Sequence, residues 1–223
     1  MIRISGFTIS LLLLILTGPA VSAQVHDDPA SGIEDDRYYD GLRLGLNLSL
    51  PLWQFVVPEI YGAELVGDFK VGPEYFGVAE AGYSVRKLDE PSYRLHEKGV
   101  YLRIGGDKSF YKYNNDIFGV GARLGFSLRD RSAADIFVEQ DYWGDYSGAL
   151  DSGLSFRQWA EVVLVIKAEL SSNLFLGWNL RGKVLLFDRG DSHMADRFIP
   201  GFGAGDTKST VGFDFYIYYR FGF

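Results

Sequence analysis

Leucine occupies every second position from Leu42 to Leu52, and Gly41, Arg43, Gly45, Asn47 and Ser49 stand between the first of them. A period of two places one set on each face of an extended chain, so the pattern predicts a β-strand. Seven further segments alternate in the same way. Tyr61, Ala63, Leu65, Phe69 and Val71 oppose Glu64, Asp68 and Lys70, and Ala79, Ala81, Tyr83 and Val85 oppose Glu80, Ser84 and Arg86. Val100, Leu102 and Ile104 oppose Tyr101, Arg103 and Asp107. Phe118 to Leu128 alternates with Gly119, Gly121, Arg123, Gly125 and Ser127. Ala160 to Leu170 opposes Glu161, Lys167 and Glu169. Leu174 to Leu186 opposes Asn179, Arg181 and Lys183. Val211, Phe213, Phe215, Ile217, Tyr219, Phe221 and Phe223 oppose Asp214, Tyr216, Tyr218 and Arg220.

The connections between these eight segments alternate in length. Gly72-Pro73-Glu74, Asn114-Asn115-Asp116 and Ser171-Ser172-Asn173 are short. Trp53 to Glu59, Lys87 to Gly99, Asp130 to Phe156 and Asp188 to Ser209 are longer. An even number of strands with short turns at one end and long loops at the other is the layout of an outer-membrane barrel, and a soluble sandwich has no reason to keep it. The fold expected is therefore all-β, an eight-stranded antiparallel up-and-down transmembrane β-barrel. Ten strands follow instead if Ile136-Phe137-Val138 opens an extra hairpin, but that stretch lacks clean alternation. Aromatic residues near the segment ends, such as Tyr75, Phe110, Trp53 and Phe55, suit the two membrane interfaces.

In such a barrel the apolar faces meet lipid and the polar faces line the interior. The expected lumen network is Arg43, Lys70, Arg86, Arg103, Arg123, Lys167, Arg181, Lys183 and Arg220 with Glu64, Asp68, Glu80, Asp107, Glu161, Glu169 and Asp214. At eight strands the interior holds side chains and leaves no wide channel. Buried charges survive when paired, so a structural salt-bridge plug is the main expectation and an ion or proton path the minor one.

The N-terminal region adds a location. Arg3, the apolar run Leu11 to Leu16 and the small residues Val21-Ser22-Ala23 form an export leader over residues 1–23. Its apolar core is too short to cross a bilayer. An acidic segment without periodicity, residues 24–37, reads as a flexible periplasmic tail, and the barrel takes residues 38–223. Loss of the leader removes one arginine from 22 basic residues and leaves 21 against 29 acidic ones, a net of −8. That balance argues against nucleic acid as a partner. With no cysteine, lipid anchoring through a thiol and disulfide bonding are both excluded.

Candidate chemistry is sparse. The histidines are His26 in the tail and His96 and His193 in different loops. Asp191-Ser192-His193 offers a carboxylate, a hydroxyl and an imidazole, but neighbouring side chains point apart where a catalytic set must converge. Arg189-Gly190-Asp191 is an adhesion-like tripeptide of the kind chance supplies readily. The third loop is acidic without the spacing of a calcium loop. Gly119-Val120-Gly121 with Gly125 has the wrong spacing for a nucleotide loop and lies inside a strand. No cofactor or metal is implied.

Four stretches carry a resemblance: Tyr101-Leu102-Arg103-Ile104-Gly105, Asp141-Tyr142-Trp143-Gly144, Leu176-Gly177-Trp178-Asn179-Leu180-Arg181, and Phe198-Ile199-Pro200-Gly201-Phe202-Gly203. Through them the chain resembles, from about Tyr38 to Phe223, a family of uncharacterised outer-membrane β-barrel proteins classed as a domain of unknown function. The resemblance implies fold and location and no activity. The final strand, with Phe215, Ile217, Tyr219, Phe221 and Phe223, resembles the assembly signal of outer-membrane barrels, which implies recognition by the barrel-assembly machinery. The function expected is that of a non-enzymatic structural or surface-binding component. Its partners are outer-membrane lipid and a surface or periplasmic protein met by the long loops. The rivals are a lipid hydrolase or acyltransferase using His193 or His96, a narrow channel, and an accessory of a secretion complex.

Overall fold

The computed structural model describes residues 41–55, 57–90, 93–110, 116–138, 146–189 and 198–222. The leader, the tail, Tyr38, His26, Asn114-Asn115, Asp141-Tyr142-Trp143-Gly144, Gly190-Asp191, Ser192, His193 and Phe223 lie outside the described residues. The elements in chain order are β1 (Gly41–Asn47), α1 (Ser49–Trp53), β2 (Ile60–Lys70), β3 (Tyr75–Glu90), β4 (Tyr93–Ser109) and β5 (Ile117–Val138). They continue with β6 (Tyr146–Ser171), β7 (Leu174–Arg189), β8 (Phe198–Ile199), β9 (Gly203–Ala204) and β10 (Ser209–Gly222). Eight of these strands close a barrel in the order β1-β10-β7-β6-β5-β4-β3-β2, every neighbour antiparallel. The seam pairs the two ends of the described chain, Gly41 with Gly222. Closure gives every strand of the wall two neighbours, and each strand gives one face to the interior and one to the outside.

The faces follow the alternation. Leu44, Leu65, Leu102, Leu124, Val162, Leu180 and Phe213 are exposed on the outer surface, while Asp68, Glu80, Arg103, Arg123, Glu161 and Arg181 are buried within. So many exposed large apolar residues make the outer surface far more apolar than that of an ordinary water-soluble monomer. Inside, glycines stand beside the largest side chains. A Cβ on Gly125 would run into the Trp159 ring, and one on Gly82 would sit 2.5 Å from the Tyr101 ring. The register explains both, because Gly125 pairs with Trp159 and Gly82 with Tyr101. In a narrow barrel a full ring needs an empty position beside it.

Two expectations change and a third holds. The leucine alternation predicts one strand as far as Leu52, but β1 stops at Asn47 and the chain turns into α1. Pro51 cannot donate to a ladder, and Asn47 Oδ1 accepts the Ser49 N–H at 2.8 Å, which favours the turn. The connections Lys87–Gly99 and Asp130–Phe156, expected as loops, are mostly strand. β3 and β4 run on to Glu90 and from Tyr93, and β5 and β6 to Val138 and from Tyr146. The barrel keeps eight strands, since Ile136-Phe137-Val138 prolongs β5 against Gly148, Ser147 and Tyr146. Register shifts at Arg131/Ala133 and Ala133/Ile136 carry the ladder past the break in alternation, as bulges do.

The barrel thus has a turn end, at Gly72-Pro73-Glu74 and Ser171-Ser172-Asn173, and a loop end opposite. At the loop end the β8–β9 hairpin folds into the mouth. Ile199 and Phe202 are buried against Tyr101 and Trp159, with Leu185 beside them. Gly201 and Gly203 have φ of 77° and 115°, a region that side-chain-bearing residues avoid, so they make the tight reversal.

Candidate functional site

The interior is built in three layers along the axis. At its centre, Arg103, Arg123 and Arg181 project from β4, β5 and β7 among Glu64, Glu80, Asp107, Glu161 and Asp214. Glu80 faces three guanidinium groups: Arg103 Nε at 2.7 Å, Arg181 Nη2 at 3.0 Å and Arg123 Nε at 3.4 Å. Arg181 also donates to Asp214 at 2.7 Å, Glu161 at 2.9 Å and the Tyr216 hydroxyl at 2.8 Å. Glu64 pairs with Arg103 and accepts from the hydroxyls of Tyr101 at 2.5 Å and Tyr216 at 2.6 Å. Arg123 donates to Asp107 at 2.7 Å, and Trp159 Nε1 to Glu161 at 2.6 Å. The planar fork of arginine suits this role, since one guanidinium reaches several carboxylates from one position.

Towards the turn end, Asp68 accepts from Arg43 Nε and Lys167 Nζ, both at 2.6 Å. Aromatic faces flank these cations: the Phe76 ring lies 4.8 Å from the Arg43 guanidinium, and the Tyr218 ring lies 4.8 Å from Lys167 Nζ. Towards the loop end, Glu97 is fully buried and accepts from Arg129 at 3.1 Å. Arg129 also donates to the Phe198 carbonyl at 2.6 Å, and Lys183 Nζ to the carbonyls of Gly201 at 2.7 Å and Phe202 at 3.3 Å. These bonds tie the inward hairpin to the wall. Arg157 bridges Ser155 at 2.9 Å and Asp188 at 2.8 Å.

Of the expected lumen residues, the central and turn-end layers bring together Arg43, Glu64, Asp68, Glu80, Arg103, Asp107, Arg123, Glu161, Lys167, Arg181 and Asp214. Lys183 stands above them against the hairpin. Arg86, Lys70, Glu169 and Arg220 lie apart from these layers. Arg86 reaches Glu59 at 3.9 Å and Glu97 at 4.0 Å near the loop end. Glu169 and Arg220 stand 3.6 Å apart at the turn-end rim, both partly exposed. Lys70 is half-buried at the same end. The last strand turns Phe215, Ile217, Tyr219 and Phe221 outward, while Tyr216 and Tyr218 between them are buried.

Sequence reasoning leaves out Glu97, which falls in a segment that reads as a loop, and Arg129 and Arg157, which fall between the alternating segments and the loop read over Asp130–Phe156. Each is in phase with inward neighbours: Glu97 with Tyr101 and Arg103, Arg129 with Arg123 and Ser127, Arg157 with Trp159 and Glu161. Counting by twos beyond the assumed rim finds them. Tyr101 and Tyr216 lie on polar faces without an evident role in the sequence, and the structure gives them hydrogen bonds to Glu64. His96 is exposed on the β4 extension. Among the described residues, no three His, Asp or Glu side chains converge so as to hold a metal ion. The chemical character of the cluster is mutual neutralisation of carboxylates and guanidinium groups.

A family model described as Domain of unknown function (DUF6048) matches residues 4–223. No curated protein matches the chain.

Proposed function

The chain belongs to the family Domain of unknown function (DUF6048), and we propose that it works as an outer-membrane β-barrel, a non-enzymatic component that presents a surface at its loop end. The observation that carries this reading is the inversion of the two faces: an apolar outer wall around a core of ion pairs. A soluble barrel has the opposite arrangement, and a closed barrel is the one sheet that satisfies every backbone group in lipid. On this reading residues 1–23 are a leader cut after Ala23, the turn end faces the periplasm, and the loop end faces outward. The last strand serves as the signal to the barrel-assembly machinery.

The interior supports a structural role. Arginine forks engage its carboxylates, and Trp159, Ile199 and Phe202 fill the mouth, which argues against conduction or catalysis within the lumen. Partner contact then falls to the strands that outrun the barrel, β3 to β6. The test is gel mobility of the outer-membrane fraction, unboiled against boiled. A closed barrel resists detergent in the cold, so the unboiled band migrates differently from the boiled one. A protein found in the soluble periplasm with one mobility overturns the reading.

A further inference from the structure

At seven residues β1 is shorter than the roughly nine to eleven that a strand needs to cross a bilayer. Its neighbours are not short. Leu46 pairs with Leu65 on β2 and with Ile217 on β10. Beyond that level β2 continues its outward row through Ala63 and Tyr61, and β10 continues through Phe215 and Phe213. The wall therefore has a notch above β1, two side-chain rows deep, or about 14 Å at the rise of a strand.

The segment α1 fills that notch. The Leu48 N–H donates to the Phe215 carbonyl at 2.8 Å, and the Phe215 N–H donates to Ser49 Oγ at 2.5 Å. These two bonds replace the ladder that β1 would have made with β10. Ser49 is buried, whereas Leu52, Trp53 and Phe55 are 56%, 54% and 87% exposed. Three large apolar side chains thus stand on the outer surface, flanked by wall positions that are themselves apolar.

We propose that α1 and the turn after it form an interfacial wedge, in which Leu52, Trp53 and Phe55 insert among the lipids of the loop-end leaflet and complete the apolar height where β1 falls short. The inference rests on the membrane reading above. Its occupant is lipid at the boundary between headgroup and acyl chain, where the amphipathic Trp ring is favoured and amphipathic helices lie. Continuity with the apolar wall on both flanks selects lipid over a protein partner.

The absence of cysteine makes single-cysteine spin labelling clean. Trp53→Cys and, as a second probe, Phe55→Cys are labelled in the full chain folded into phosphatidylcholine vesicles. Leu102→Cys on the outer wall is the lipid reference. His96→Cys is the solvent reference, one outward row beyond Lys98, whose ion pair with Asp130 marks where the wall turns polar. Collision with oxygen reports lipid, and collision with a water-soluble nickel complex reports solvent. Both wedge labels should show an oxygen-to-nickel ratio several-fold above that of the His96 reference. If they match His96 while Leu102 stays in lipid, the wedge is overturned and the membrane reading stands. If Leu102 itself meets nickel as His96 does, both are overturned.

Discussion

Replacing Arg181 with methionine removes one cation from the densest part of the interior and keeps a chain of comparable length. Arg181 is fully buried, and its fork serves Asp214, Glu161 and Glu80 at 2.7, 2.9 and 3.0 Å. Its cluster holds the cations Arg103, Arg123, Arg181 and Lys183 against the carboxylates Glu64, Glu80, Asp107, Glu161 and Asp214. With the adjoining Arg43, Lys167 and Asp68, the central and turn-end layers and Lys183 hold six cations against six carboxylates, so losing Arg181 leaves one negative charge uncompensated. Removing one partner from a buried ion pair costs about 3–5 kcal/mol, and Arg181→Met falls in that range because Asp214 loses its guanidinium partner, while Glu80 keeps Arg103 and Arg123 and Glu161 keeps Arg103. Glu80→Gln acts in the opposite direction. It removes one carboxylate, and Arg103, Arg181 and Arg123 each keep another acidic partner. Its cost should stay at about 1.5–3 kcal/mol, the worth of a hydrogen bond to a charged group. The assay is urea unfolding of each variant in phosphatidylcholine vesicles, followed by tryptophan fluorescence. Equal stabilities, or a Glu80→Gln variant weaker than Arg181→Met, would falsify the claim that loss of a last ion-pair partner governs the cost in this core.

Other perturbations reach other layers. Gly125→Ala drives a Cβ into the Trp159 ring and should cost about 1–3 kcal/mol as overpacking, read as a lower urea midpoint; an unchanged midpoint sinks the fitted-ring account. Lys183→Met removes the donor to the Gly201 and Phe202 carbonyls, so the hairpin should become cleavable by external protease while the wall stays folded. Protection equal to that of the native chain would show that the hairpin does not depend on Lys183. In planar bilayers the purified protein should give no steady conductance, because the central ion pairs and the Trp159–Phe202 contact fill the lumen. Regular unitary steps would refute the packed interior.

The wall is legible in the sequence because its physics is local: each strand alternates, and alternation alone sorts Leu102 from Arg103 or Leu180 from Arg181. Register is not legible, and the pairing of charges goes with it. Nothing in the chain order says that Glu80 meets Arg181, since the two come from strands that are not neighbours in the wall. The extent of the strands is hard to read where alternation weakens, around Ala133, because bulges preserve a ladder while disturbing the period. The α1 turn is hidden for the reverse reason. Leu48, Leu50 and Leu52 keep a strand-like period, and Pro51 is the signal against it. The inward hairpin depends on Tyr101 and Trp159, far away in the chain, and two-residue strands such as Phe198–Ile199 leave no periodic trace.

The seam between Gly41 and Gly222 has a consequence for how the molecule is made. Between β7 and β10 lies the small β8–β9 hairpin; every other pair in the wall apart from the seam joins consecutive strands and can zip as soon as both members exist. The seam alone joins the first strand to the last. Non-local pairing of this kind is slow, and until it happens the growing sheet carries two bare edges able to recruit other chains. Without β10 the wall therefore ends in open ladders on β1 and β7 and does not close into a smaller barrel. Closure thus waits on the last strand, because β10 is the strand that meets both β7 and β1.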